Sequence, residues 1–117
     1  MATIASDCLF CKIVEGEISA DVVHTSDHVV AFRDINPQAP THILLIPKDH
    51  IESVSAVTDE HGPLLVELMQ TATHLAEAEG LTGGWRLVTN VGPDAGQSVL
   101  HLHFHLLGGR GMGWPPG

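Results

Sequence analysis

Residues 101–109 read HLHFHLLGG, with His101, His103 and His105 at every second position and Leu102, Phe104 and Leu106 between them. Period-two alternation is the pattern of a half-buried β-strand, in which successive side chains point to opposite faces. It predicts a strand over 99–107 whose Leu and Phe side chains turn toward a core. The three imidazoles then share the other face and point outward, about 6.6 Å apart, in a row that one small anion or metal ion can span.

The segment just before this strand, GPDAGQS at 92–98, is a loop by composition. Gly96 gives it backbone freedom to turn consecutive N–H groups toward an anion. A phosphate nest beside three aligned imidazoles is the pairing this predicts.

Further out, Thr41–Pro47 reads THILLIP, a nearly continuous apolar run. That is the composition of a central strand covered on both faces. Val-rich runs at 21–25 and 28–33 flank Ser26-Asp27 and read as a hairpin. Leu65, Leu68, Met69, Ala72, Leu75 and Ala76 recur at helical spacing up to Gly80. Thr58 is a candidate cap for this helix, but Pro63 lacks a donor and crowds the carbonyl four residues back, so a kink or a later start near Pro63 is the alternative. A short helix over 7–15 capped by Ser6, and a strand over 85–90, complete the order. Helix, three strands, helix, two strands describes an α+β domain over 1–117: an antiparallel sheet with its helices packed on one side.

Composition narrows the function. The 117 residues suffice for one core. A net charge of −9 repels polyanions at long range, which disfavours nucleic acid as a partner. A small anionic ligand is compatible with that field, because it is screened over about 10 Å while local imidazoles and N–H groups act at contact. The start, MATIASDCLF, has no basic n-region or long apolar run, and Ile43–Ile46 is far too short to span a bilayer. The expectation is a cytoplasmic protein with no membrane partner. In that compartment Cys8 and Cys11 stay thiols, and their CxxC spacing suggests metal or redox chemistry before a disulfide.

The stretch QSVLHLHFHLLGGR resembles the histidine triad motif. With FRDINPQAPTHILLIPK, the 90–98 loop and the terminal MGWPPG, the whole chain is similar to the histidine triad nucleotide-binding (Hint) branch. That resemblance implies a homodimer joining two five-stranded antiparallel sheets, each with one long and one short helix, into one ten-stranded sheet. It also implies a purine nucleotide site and hydrolysis of nucleoside phosphoramidates and acyl nucleotidylates. By the matching positions His103 is the nucleophile, His105 and His101 assist it, and His42 completes the cluster. Asp34 and Ile35 lie against the ribose, while Asn90, Gly96, Gln97 and Ser98 hold the phosphate. Trp114, in the segment Trp114-Pro115-Pro116, reaches toward the partner's active site. Leu100 departs from the pattern, standing where a tyrosine is common, and Gly111 and Gly113 lighten the tail.

The residues suit that chemistry. A neutral imidazole attacking phosphorus exchanges one labile P–N bond for another, which water then cleaves. One ionised carboxylate at Asp34 can accept from both vicinal ribose hydroxyls. No metal is needed for catalysis. Related histidine triad proteins pair a CxxC with two histidines around structural zinc, which here implies Cys8, Cys11, His50 and His101, a closed Cys₂His₂ set. That assignment takes His101 out of any proton relay; the alternative leaves both thiols as packing residues. Three further functions remain open: a nucleotide-binding regulatory module with little turnover, a dinucleoside polyphosphate hydrolase, and a metalloenzyme with a catalytic ion on the histidine row.

Overall fold

The structure is a computed structural model that describes residues 5 and 7–117. Five strands form one antiparallel sheet: β1 (Val22–Thr25), β2 (Val29–Arg33), β3 (Thr41–Pro47), β4 (Trp85–Val88) and β5 (Phe104–Gly108), in the order β1-β2-β3-β5-β4. THILLIP is its middle strand, and all seven residues of β3 are buried. The hairpin forms as read, with a bulge between Val22 and His24.

The helices α1 (Leu9–Val14) and α2 (Gly62–Ala78) lie on opposite faces of the sheet, which corrects the expectation of one helical side. Alternation along β2 and β3 explains it. Val29, Ala31, Ile43 and Leu45 pack with Leu68, Ala72, Leu75 and Ala76 of α2. Val30, Phe32, Leu44 and Ile46 face the other way and pack with Cys8, Phe10 and Cys11 of the α1 segment. Both faces are apolar, so both must be covered.

The start of α1 differs from expectation, the start of α2 near Pro63 is the later of the two alternatives, and one side chain of α2 faces the other way from its reading. The Ser6 cap lies outside the described residues; α1 is capped by Cys8, whose Sγ accepts from the Cys11 N–H at 3.3 Å. Gly62 and Pro63 open α2, while Thr58 precedes a separate 3₁₀ turn, Asp59–His61, and donates its N–H to His61 Nδ1 at 2.9 Å. Met69 falls on the solvent side of α2.

The histidine strand itself begins only at Phe104, five residues later than the alternation predicts. Leu102 gives its N–H to the Ile51 carbonyl instead of a strand neighbour, and β4 stops at Val88, where Thr89 turns its hydroxyl onto the His103 carbonyl at 2.8 Å. The sidedness survives: Leu102, Phe104 and Leu106 pack toward α2. The imidazoles do not point into solvent, however. His101 and His103 are buried, roofed by Phe10 of α1, whose ring meets theirs edge-on at 5.9 and 5.1 Å.

Candidate active site

The β3–β5 register sets His105 opposite Leu44. His42, two residues before Leu44, therefore lies diagonally across from His105 on the same face. His42 Nε2 and His105 Nδ1 are 2.9 Å apart. The Gln38 backbone N–H donates to His42 Nδ1 at 3.0 Å. A nitrogen that accepts carries no proton, so neutral His42 is protonated on Nε2 and donates to His105 Nδ1. His105 keeps its own proton on Nε2. Burial, reinforced by His103 and His42, pushes the His105 pKa down to about 4. Burial also lowers that of His42, against the pull of Asp34, whose Oδ2 lies 3.5 Å from His42 Nε2.

His103 is oriented differently. Its Nδ1 donates to the His101 carbonyl at 2.7 Å, so in the neutral ring Nε2 presents a lone pair. His103 and His105 stack edge-to-face at 5.1 Å, one offering an acceptor nitrogen and the other an N–H. Both line a cavity of about 340 Å³ together with Phe10, Ile13, Asp34, Ile35 and Ser98. Asp34 stands at this cavity with Oδ1 fixed by the Asn36 N–H at 2.8 Å. Ile35 is fully exposed at its rim. Apolar walls, one carboxylate and paired imidazoles suit a flat heterocycle, a diol and a phosphoryl group respectively.

The 92–98 loop closes one side. Gly92 and Gly96 adopt φ of +82° and +86°, in the left-handed region that favours glycine, around a 3₁₀ turn, Pro93–Ala95. The Gly96 and Gln97 N–H groups are spent on Pro93 and Gly92 carbonyls. Gln97 spends its side chain too: Oε1 accepts from the Gly92 N–H, and Nε2 donates to the Glu52 and Val99 carbonyls. Among the described residues Ser98 and Asn90 make no hydrogen bond, leaving their side chains available. Trp114 is 83% exposed and stands away from this cavity, its segment tied back where Arg86 donates to the Gly113 carbonyl at 3.0 Å.

Cys8, Cys11, His50 and His101 converge on the far side of His103, their donor atoms all within 4.8 Å of one another. Cys8 Sγ and His101 Nδ1 are 3.3 Å apart, Cys11 Sγ and His50 Nδ1 3.3 Å, and Cys11 Sγ and His101 Nδ1 3.5 Å. A zinc tetrahedron with standard bond lengths has S···N edges of about 3.6 Å, so these separations fit. His101 Nε2 donates to the Pro47 carbonyl at 2.9 Å, aiming Nδ1 at the thiols. Burial lowers the His101 pKa to about 4 and raises that of the Cys11 thiol, while N–H groups of Ala5 and Cys11 approach the two sulfurs, as thiolate ligands require. The row does not hold one ion. His101 belongs to this cluster, His105 to a second with Asp34 and His42, and His103 to neither.

Three alternate histidines that lead into a central strand beside a glycine loop define a histidine triad protein. The chain belongs to the HIT domain family, whose pattern matches residues 15–112. It is 55% identical to the crystal structure of a HIT family hydrolase from Legionella pneumophila Philadelphia 1, with a TM-score of 0.93 over 95% of this chain and 100% of that one. It is 50% identical to a 14 kDa zinc-binding protein of Zea mays, over 96% of this chain and 89% of that one. It is likewise 50% identical to Adenylylsulfatase HINT1 of Arabidopsis thaliana, over 96% and 78% of the two chains.

Sequence reading missed two groups that shape the site. The Gln38 N–H, which sets the tautomer of the His42–His105 pair, belongs to a main chain and leaves no mark on residue identity. Phe10, the roof over His103, carried a signal in the amphipathic start of α1, but nothing said which face of the sheet that helix covers.

Proposed function

We propose that this protein hydrolyses the P–N bond of purine nucleoside 5′-phosphoramidates, and the related bond of acyl nucleotidylates, through a nucleotidyl-histidine on His103. The observation that carries this reading is the His103 Nδ1–H bond to the His101 carbonyl, which leaves an unprotonated Nε2 at the wall of a nucleotide-sized cavity. Nε2 attacks phosphorus and the P–N bond breaks; water then cleaves the P–Nε2 bond and regenerates His103. One water is consumed, its oxygen going to phosphorus and a proton to the amine.

His105 donates Nε2–H to a phosphoryl oxygen as charge develops there. His42 holds His105 in that tautomer. Asp34 accepts from the ribose hydroxyls, beside Ile35. Ser98 and Asn90 supply phosphate contacts, and Gly96 the turn that presents Ser98. Cys8, Cys11, His50 and His101 hold a zinc ion, which ties the α1 segment to the sheet and supplies structural stability.

We also assign a homodimer located in the cytoplasm. Edge strand β4 has an unpaired side, and pairing it with the same strand of a second copy makes a ten-stranded sheet and removes that edge. The exposed Trp114 then has a partner's site to reach. Light scattering at micromolar concentration should give twice the chain mass. No helix of the described residues is long and apolar enough to cross a membrane.

The Arabidopsis relative's name favours one neighbouring reading, cleavage of adenylyl sulfate, in which the same attack expels sulfate instead of an amine. Rapid denaturing quench at alkaline pH, where a P–N bond survives, during turnover of an adenosine phosphoramidate, followed by mass spectrometry, should find an adenylyl group on the peptide carrying His103. A regulatory binding module would yield bound nucleotide and no adduct.

A further inference from the structure

Gln97 makes more side-chain hydrogen bonds than any group facing the cavity, and none points into it. Its Oε1 takes the Gly92 N–H at 3.0 Å; its Nε2 donates to Glu52 O at 2.8 Å and Val99 O at 3.1 Å. Both amide protons are used, and its backbone N–H is given to the Gly92 carbonyl at 3.1 Å. No donor of Gln97 remains for a phosphate.

What the side chain joins is specific. Gly92 begins the loop, Val99 ends it, and Glu52 belongs to the segment that follows His50. The neighbouring residue, Ser98, lies between two of these anchors and lines the cavity with His103 and His105. A second cavity, of about 450 Å³, also borders Ser98 and Val99, together with Glu52. Val99 packs against the cluster of Phe10, Phe32 and Leu44, whereas Ser98 is exposed and borders both cavities. Packing holds the end of the loop, and the hydrogen bonds of Gln97 tie its start and the 51–52 segment to that end.

We propose that Gln97 is a positioning residue for phosphoryl recognition: it clamps both ends of the 92–98 loop onto the 51–52 segment and acts through Ser98, without touching substrate. The assignment rests on the nucleotide-hydrolase reading of the same cavity. Removing the clamp frees Ser98, which is exposed and borders both cavities, so phosphate-dependent binding falls, while the ribose and base contacts on Asp34, Ile35 and Phe10 stay.

The test is calorimetric binding of adenosine 5′-monophosphate and of adenosine to the wild type, Gln97→Met, Ser98→Ala and the double variant, with melting temperatures for each. Gln97→Met should weaken the monophosphate about tenfold, equivalent to one or two lost hydrogen bonds, and adenosine by less than about twofold. In the Ser98→Ala background the same change should cost less than about twofold further, since coupled residues are not additive. A full tenfold further loss would mean that Gln97 contacts phosphate itself, and equal losses for both ligands would mean general disorder; either overturns the proposal. Undiminished monophosphate binding in Gln97→Met overturns it alone. A wild type that binds the monophosphate no better than adenosine overturns the functional reading with it. If Gln97→Met does not fold, Gln97→Asn makes the same comparison, because it stays neutral and is too short to span Gly92, Glu52 and Val99 together.

Discussion

Two clusters of metal-ligating residue types among the described residues share one face of the sheet, and they are built to opposite ends. In Cys8, Cys11, His50 and His101, the remote nitrogen of His101 donates to the Pro47 carbonyl, so the near nitrogen offers a lone pair to the same point as the two sulfurs. In Asp34, His42 and His105 the donor atoms are equally close, but the remote nitrogen of His42 accepts the Gln38 N–H. Its near nitrogen must then carry a proton, and a proton stands where an ion would go. Both residue sets can ligate a metal, and what the outer nitrogen bonds to sets them apart. His103 sits between them, anchored to the first through the His101 carbonyl and stacked on the second.

The largest effect should come from the residue between the clusters. His103→Ala should lower phosphoramidate turnover by at least about 10⁴-fold, with monophosphate affinity within about tenfold, because the lost group acts in the transition state. Near-normal kcat would remove the nucleophile assignment.

Next in size is metal. Purified protein should contain about one zinc per chain by elemental analysis, and Cys8→Ser should lose it together with about 4 kcal/mol of stability, the linkage expected for a tightly held ligand. Chelation should lower the melting temperature more than it lowers initial activity. A His42 variant should keep its zinc. Two zinc ions per chain, one of them lost with His42, would collapse the distinction between the clusters.

Much of this was legible in the chain. THILLIP announces the central strand because seven consecutive positions must avoid water, and the period-two row announces which side chains face α2. The limits of that row were not legible. Alternation reports sidedness and not hydrogen bonding, and Leu102 and His103 keep the former while bonding to Ile51 and Thr89 outside the sheet. The placement of α1 was hidden because Leu9, Phe10 and Ile13 suit either face, and only the double-sided burial of β2 and β3 decides. The zinc set came from a resemblance; residue spacing alone left His50 and His101 unconnected to the CxxC.

Asp34 gives a smaller and more specific effect. Asp34→Ala should weaken adenosine binding about tenfold, the loss of charge-assisted bonds to two hydroxyls, and should nearly erase discrimination between ribose and deoxyribose. Unchanged discrimination would leave Asp34 its turn bond to the Asn36 N–H and its electrostatic contact with His42.

The smallest expected effect is the most informative about the second cluster. Glutamine at position 42 places an amide nitrogen near the former Nε2, able to donate to His105 Nδ1 but unable to take or pass a proton. If His42 serves only to hold His105 in one neutral tautomer, His42→Gln should keep turnover within about fivefold, whereas His42→Ala, which leaves His105 Nδ1 without its donor, should lose more. A proton shuttle through His42 would make the two variants equally poor. Stability offers an independent check. Both histidines have native pKa values below the unfolded value of about 6.5, His105 at about 4. Above pH 6.5 both states are neutral and their contribution is intact. As pH falls from there, the unfolded chain takes up protons that the native pair refuses, so stability declines until the native pKa values are reached. Glutamine removes one of those protons from the balance, and the melting temperature of His42→Gln should fall less steeply than wild type between pH 6.5 and 4. Parallel slopes would mean that His42 is not held neutral in the native protein, and that the proton placed on its Nε2 by Gln38 does not distinguish the two clusters.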